Sequence, residues 1–147
     1  MHRIVDSISA VNALLRGELS ATETYQQALQ KLNKGPAADH LWRIHHEHRE
    51  AANTLRQEVH RLGGKPDQNS GAWGAWAKLV EGTAKLLGET AALKALKEGE
   101  GYGLKSYEAA LADETIPDET KALIRSSLLP STREHIAALD RLINTAK

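Results

Sequence analysis

GGKPDQNSGAWGAWAKLVEGTAKLL, residues 63–87, is the stretch that decides between the helical topologies open to this chain. It begins with strong helix breakers, Gly63-Gly64 and Pro66, and continues through turn-forming residues to Gly71. On both sides of it the chain reads as helix. Alanine, leucine, glutamate, lysine and glutamine dominate, and the strand-like alternation of β-branched and aromatic residues is missing. Further breaks fall at Asn33–Pro36, near Gly88 and at Asp113–Pro117. Long helices are therefore expected near 4–33, 37–62, 88–112 and 117–146, with a shorter one near 72–87. Pro36 and Pro117 suit a first helical turn, Asp118 and Glu119 a positive helix end, and Gly63 a C-terminal cap.

The loop lengths then fix the topology. Short loops join helices one and two, and three and four, so each pair is an antiparallel hairpin. A 25-residue helix is about 38 Å long, so a connection the size of 63–87 can travel the length of a bundle. A short, long, short pattern specifies an all-α, ferritin-like four-helix bundle whose long crossover contains a short fifth helix. Residues 1–147 are read as a single domain of this kind.

Composition removes several function classes. Nineteen Lys and Arg balance nineteen Asp and Glu, without a basic stripe, which argues against nucleic acid or anionic membrane as a partner. There is no cysteine, hence no disulfide, thiolate site or cysteine nucleophile. MHRIVDSISAV lacks the apolar region of a signal peptide, and no run of about 18 apolar residues occurs, so a cytoplasmic protein is expected.

Seam positions, alternating three and four residues apart, expose the chemistry. Helix one gives Ile4, Ile8, Val11, Leu15, Glu18, Thr22, Tyr25, Leu29 and Leu32. Helix two gives Leu41, His45, His48, Ala52, Leu55, Val59 and Leu62. Helix three gives Leu93, Leu96, Glu100, Gly103, Tyr107 and Ala110, and helix four Ile124, Leu128, Ser131, His135, Ala138 and Leu142. Every stripe thus carries ionisable groups in its middle portion: Glu18, His45 with His48, Glu100, and His135. His46 lies about 100° from His45 and faces outward. A buried carboxylate is costly unless it is paired or bound to metal. Two carboxylates and two or three imidazoles at one depth are what a divalent cation needs, and Tyr25 and Tyr107 are placed to donate hydrogen bonds to the carboxylates. The same residues also suit plain buried Glu–His pairs with no metal.

These segments resemble a known family. LLRGELSATETYQQAL, 14–29, is similar to the first helix of bacterioferritin, in which a ligand glutamate precedes a tyrosine by seven residues, here Glu18 and Tyr25. RLGGKPD, 61–67, resembles the end of its second helix, GEGYGLKSYEAAL, 99–111, its third, and TREHIAALDRL, 132–142, its fourth. More closely, residues from about 45 to 142 resemble an uncharacterised bacterial family of ferritin-like proteins catalogued as a domain of unknown function. The LGGKP turn, GAWGAWAKL and GEGYGLKSYEAALAD carry that likeness.

The resemblance implies Glu18, Glu100 and His135 as metal ligands. Di-iron proteins of this class add a Glu-x-x-His motif on each of two helices. Here His48 stands at the glutamate position and Ala51 at the histidine position of helix two, and the local motif is His45-x-x-His48. On helix four the motif begins with Thr132, while Glu47, Glu50 and Glu134 fall off the seam. The remaining set, Glu18, His48, Glu100 and His135, suits one Zn, Fe or Mn ion, with His45 or water completing the shell.

Three functional readings follow. The first is a metal-binding bundle engaged in metal or oxidative-stress handling. The alternative is a non-catalytic structural or interaction module that lost its di-iron centre, and the third a ferroxidase- or peroxidase-like oxidoreductase. GEGYG, 99–103, follows no strand and so is no dinucleotide loop; its glycines suit close packing or room for a ligand beside Glu100. Trp42, Trp73 and Trp76 are read as anchors for the crossover or as part of a homodimer contact, and Pro130 as a kink one turn before His135.

Overall fold

The computed structural model describes residues 2–70 and 87–146, with residues 2 and 3 described by their backbone alone. The helices are α1 (His2–Leu32), α2 (Ala38–Arg61), α3 (Glu89–Ala112), α4 (Asp118–Leu123) and α5 (Leu129–Ala146). A π-helical turn, Ile124–Leu128, joins α4 to α5, so the two form one interrupted fourth helix. The expected boundaries hold to within two residues. The short helix expected near 72–87, with Trp73 and Trp76, lies essentially outside the described residues.

Two apolar clusters form the core. Tyr25, Leu29, Leu41, Ile44, Leu93, Leu96, Leu139 and Ile143 fill one end of the bundle. Val11, Leu15, Leu55, Val59, Tyr107, Ile124 and Leu128 fill the other. Early residues of α1 share a cluster with late residues of α2 and α3, so α1 is antiparallel to both. Consequently α2 and α3 run parallel, and the chain between them leaves one end of the bundle and returns at the other. The fold is an all-α four-helix bundle with one long crossover, the ferritin-like topology.

The described start of the crossover follows α1. At the turn, Gly63 takes a positive φ of 86°, which an L side chain rarely adopts, and a Cβ on Gly64 would lie 2.6 Å from Ile8. Asn12 donates to the Lys65 carbonyl at 3.1 Å and accepts from the Asp67 N–H at 2.9 Å. Arg16 pairs with Asp67, and Ser70 donates to Glu23 at 3.0 Å. From Ile8 to Glu23 these contacts climb about 22 Å of helix.

The fourth helix departs from a regular α-helix where Pro130 predicts it. Proline has no N–H, so the Ser126 carbonyl four residues earlier gains no helical partner. The preceding turn widens, and the Leu129 N–H reaches back five residues to the Ile124 carbonyl. Glu58 secures the same end, bonded to Arg61 at 2.7 and 2.8 Å and to the Thr120 hydroxyl. Ile4, assigned to the inward stripe of α1, is instead 57% exposed. No helix among the described residues is long and apolar enough to cross a membrane.

Candidate metal centre

A polar layer separates the two apolar clusters. Glu18 on α1, His48 on α2, Glu100 on α3 and His135 on α5 enter it, all of them buried. His48 lies at its centre. Its Nδ1 is 2.6 Å from Glu18 Oε2, and its Nε2 is 2.6 Å from Glu100 Oε2. Ionised carboxylates only accept, so both ring nitrogens donate and His48 is an imidazolium here. Burial opposes that charge, but Glu100 and Glu18 outweigh it and raise the His48 pKa well above its ordinary value. Burial likewise opposes the Glu100 carboxylate, yet His48 and His135 hold its pKa far below the usual carboxylate range.

The tyrosines do what their spacing suggested. Tyr25 donates to Glu100 Oε2 and Tyr107 to Glu18 Oε1, each at 2.5 Å. Burial, then the carboxylate each one meets, pushes both phenol pKa values well up, so they remain donors. The Tyr25 ring also stacks on His48, with centroids 5.3 Å apart.

His135 joins the same system from α5. Its Nδ1 is 3.3 Å from Glu100 Oε1, and its Nε2 is 2.7 Å from Glu47 Oε1. Glu47, half-buried, is held in turn by Arg43, whose Nη1 lies 3.3 Å from both carboxylate oxygens. The seam assignment missed Glu47, because a residue about 100° from His48 leaves the central stripe. It still reaches the side of α2 that meets α5. The readable signal was Arg43 four residues before it, a helical ion pair that fixes its rotamer.

His45 stands apart. It is buried one turn before His48, with its ring edge-on to Trp42 at 5.6 Å. Its Nε2 has no hydrogen-bond partner, and no hydrogen bond or ion pair joins it to the other four residues. Burial, then Arg49 and the neighbouring imidazoles, lowers its pKa, so the ring is neutral. Thr132, one turn before His135, donates to the Leu128 carbonyl of its own helix.

His48, Glu100 and His135 each offer a ligand atom within 4.8 Å of the others. Two imidazoles and a carboxylate suit Zn, Fe or Mn. Two donors about 2.1 Å from a tetrahedral ion sit about 3.4 Å apart. The 2.6 Å contact between His48 and Glu100 would therefore open by less than about 1 Å as the ion took the place of a proton. The far nitrogen of each imidazole already rests on a carboxylate, Glu18 for His48 and Glu47 for His135. That arrangement fixes the tautomer that presents the near nitrogen.

The ion-free layer has a defined pH response. His48, with its pKa raised on folding, contributes stability fully below the unfolded value of about 6.5, and loses it as pH rises through the folded pKa. Glu100, with its pKa depressed, contributes fully above the unfolded value of about 4.3, and loses it as pH falls through the folded pKa. Thermal melts in chelator should therefore show a falling melting temperature from about pH 6.5 upward. A His48→Gln variant should lack that slope; an equal slope in the variant would assign it to another group.

No curated protein and no solved structure matches this chain. A family match covers residues 6–113, which hold Glu18, His45, Glu47, His48 and Glu100 and end before His135. With most of its length matched, the chain belongs to the family described as Domain of unknown function (DUF2383).

Proposed function

We propose that this protein binds one divalent metal ion, Fe, Mn or Zn, between His48 Nε2, His135 Nδ1 and the Glu100 carboxylate. The observation that carries the reading is the convergence of one ligand atom from each of these three buried residues within 4.8 Å, with His48 Nε2 and His135 Nδ1 the nitrogens that face Glu100. Glu18, a ligand in the sequence reading, here orients His48, Glu47 orients His135, and His45 stays outside the shell. A two-histidine, one-carboxylate set leaves coordination positions open, as sites that admit water or a further ligand do.

One observation favours a second reading, a bundle that works without metal. The His48 imidazolium, 2.6 Å from both carboxylates, itself supplies the cation that Glu18 and Glu100 require. Elemental analysis after anaerobic loading with Fe(II), Mn(II) or Zn(II) and desalting separates the two. About one retained ion per chain, lost when His48, Glu100 and His135 are replaced together, is the expected result. Metal-free protein under every loading condition would overturn the proposal and leave the second reading standing.

A further inference from the structure

Between α1 and α3 a pocket of about 40 Å³, open to the surface beside the exposed Ala13, adjoins the polar layer. Ala13, Gly17 and Ala21 wall it from α1, and Gly99 and Gly103 from α3. Glu18, His48 and Glu100 border its polar side. One water needs roughly 10–15 Å³ of such space, so the cavity offers about three water-sized positions.

Two of the wall residues lack a methyl group that would fit. A Cβ on Gly17 or on Gly103 would meet no atom within 4 Å. Each such glycine weakens a helix interior relative to alanine, because it orders more backbone freedom on folding. The sequence thus forgoes helix stability at two positions where the side chain would only occupy the cavity.

The walls also select the occupant. They are mostly apolar, the polar groups of Glu18, His48, Glu100 and Tyr107 are bonded to one another, and the Ser106 and Thr132 hydroxyls donate to carbonyls of their own helices. A charged guest would lose its hydration without compensation. A small uncharged one loses little, and a single polar end can share the oxygens and nitrogens of Glu18, His48 and Glu100.

We propose that this cavity binds an uncharged molecule of about three non-hydrogen atoms or fewer, its polar end toward His48 and Glu100 and its remainder against Ala13, Ala21 and the glycines. The idea touches the metal reading in one respect only: both use His48 and Glu100. Occupancy itself needs no ion.

The test is methyl NMR of the metal-free full-length protein, titrated with xenon and with methanol. Saturable shifts are expected at the Ala13 and Ala21 methyls, with methanol competing against xenon. Gly17→Leu and Gly103→Leu should abolish them, and Gly103→Ala should weaken xenon binding several-fold. Gly101→Leu should leave them intact, since Gly101 has equally open space around it but does not line the cavity. No saturable response in the wild-type chain, or one that survives both leucine variants, overturns the proposal. Xenon binding without methanol competition overturns the stated ligand class. Metal stoichiometry of the same samples is read separately, so a chain that takes xenon but no ion sinks the metal reading alone.

Discussion

The His48→Ala variant is expected to lose about 3–5 kcal/mol of stability, the size of effect seen when one partner is removed from a buried ion pair. For a chain of 147 residues that corresponds to a melting temperature lower by about 10 °C. The loss does not come mainly from the cavity left by the ring. Glu18 would remain buried with only the Tyr107 phenol donating to it, and Glu100 would keep Tyr25 and the longer 3.3 Å contact to His135. Removing the charges together should undo most of the damage. A Glu18→Gln, His48→Met, Glu100→Gln triple variant keeps an amide oxygen for Tyr25 and Tyr107 and buries no unpaired charge. Its stability should return to within about 1–2 kcal/mol of the wild type, since replacing a whole buried ionic cluster is often close to neutral. Denaturant melts in chelator would decide it. A triple variant as unstable as His48→Ala would show that packing, not charge, dominates the layer.

The second large effect concerns the metal. At a free ion concentration 100 times Kd, binding should stabilise the folded chain by about 2.7 kcal/mol, a rise of about 5–10 °C in melting temperature. Glu100→Gln should abolish that rise, because Glu100 alone meets both imidazoles. Glu18→Gln and Glu47→Gln should keep it but require about 10–100 times more ion, the usual consequence of losing a carboxylate behind a ligand histidine. Those two variants separate an orienting group from a donor. If Glu18→Gln were as severe as Glu100→Gln, Glu18 would belong in the coordination shell, as its place on the α1 seam suggested.

Much of this architecture was legible because periodicity and loop length are properties of the chain itself. The stripes of α2 and α3 fall where the seam rule puts them, and the 62–88 connection has the length that joining two parallel helices demands. Tyr25 and Tyr107 were readable for the same reason, each seven residues after a carboxylate on its own helix, Glu18 on α1 and Glu100 on α3. Glu47 was not, because its role depends on which neighbour α2 faces, and a single-helix pattern holds no information about the flank. His45 shows the converse. It occupies a seam position, but its ring packs edge-on against Trp42 and no hydrogen bond links it to the carboxylates. The π-helical turn was half visible: Pro130 announces an interruption but does not say whether the helix bends or widens.

The two tyrosine–glutamate bonds have one more consequence. Tyr25 on α1 meets Glu100 on α3, and Tyr107 on α3 meets Glu18 on α1, so the antiparallel pair is tied at two crossed points. Apolar stripes of alanine and leucine tolerate sliding, since one turn of displacement puts similar residues opposite one another. The crossed pair does not. A slip of a single turn would part both phenols from both carboxylates at once, stranding charge in a hydrocarbon interior. The layer acts as a vernier, selecting one alignment of four otherwise interchangeable rods, and it would do so whether or not an ion ever occupies it.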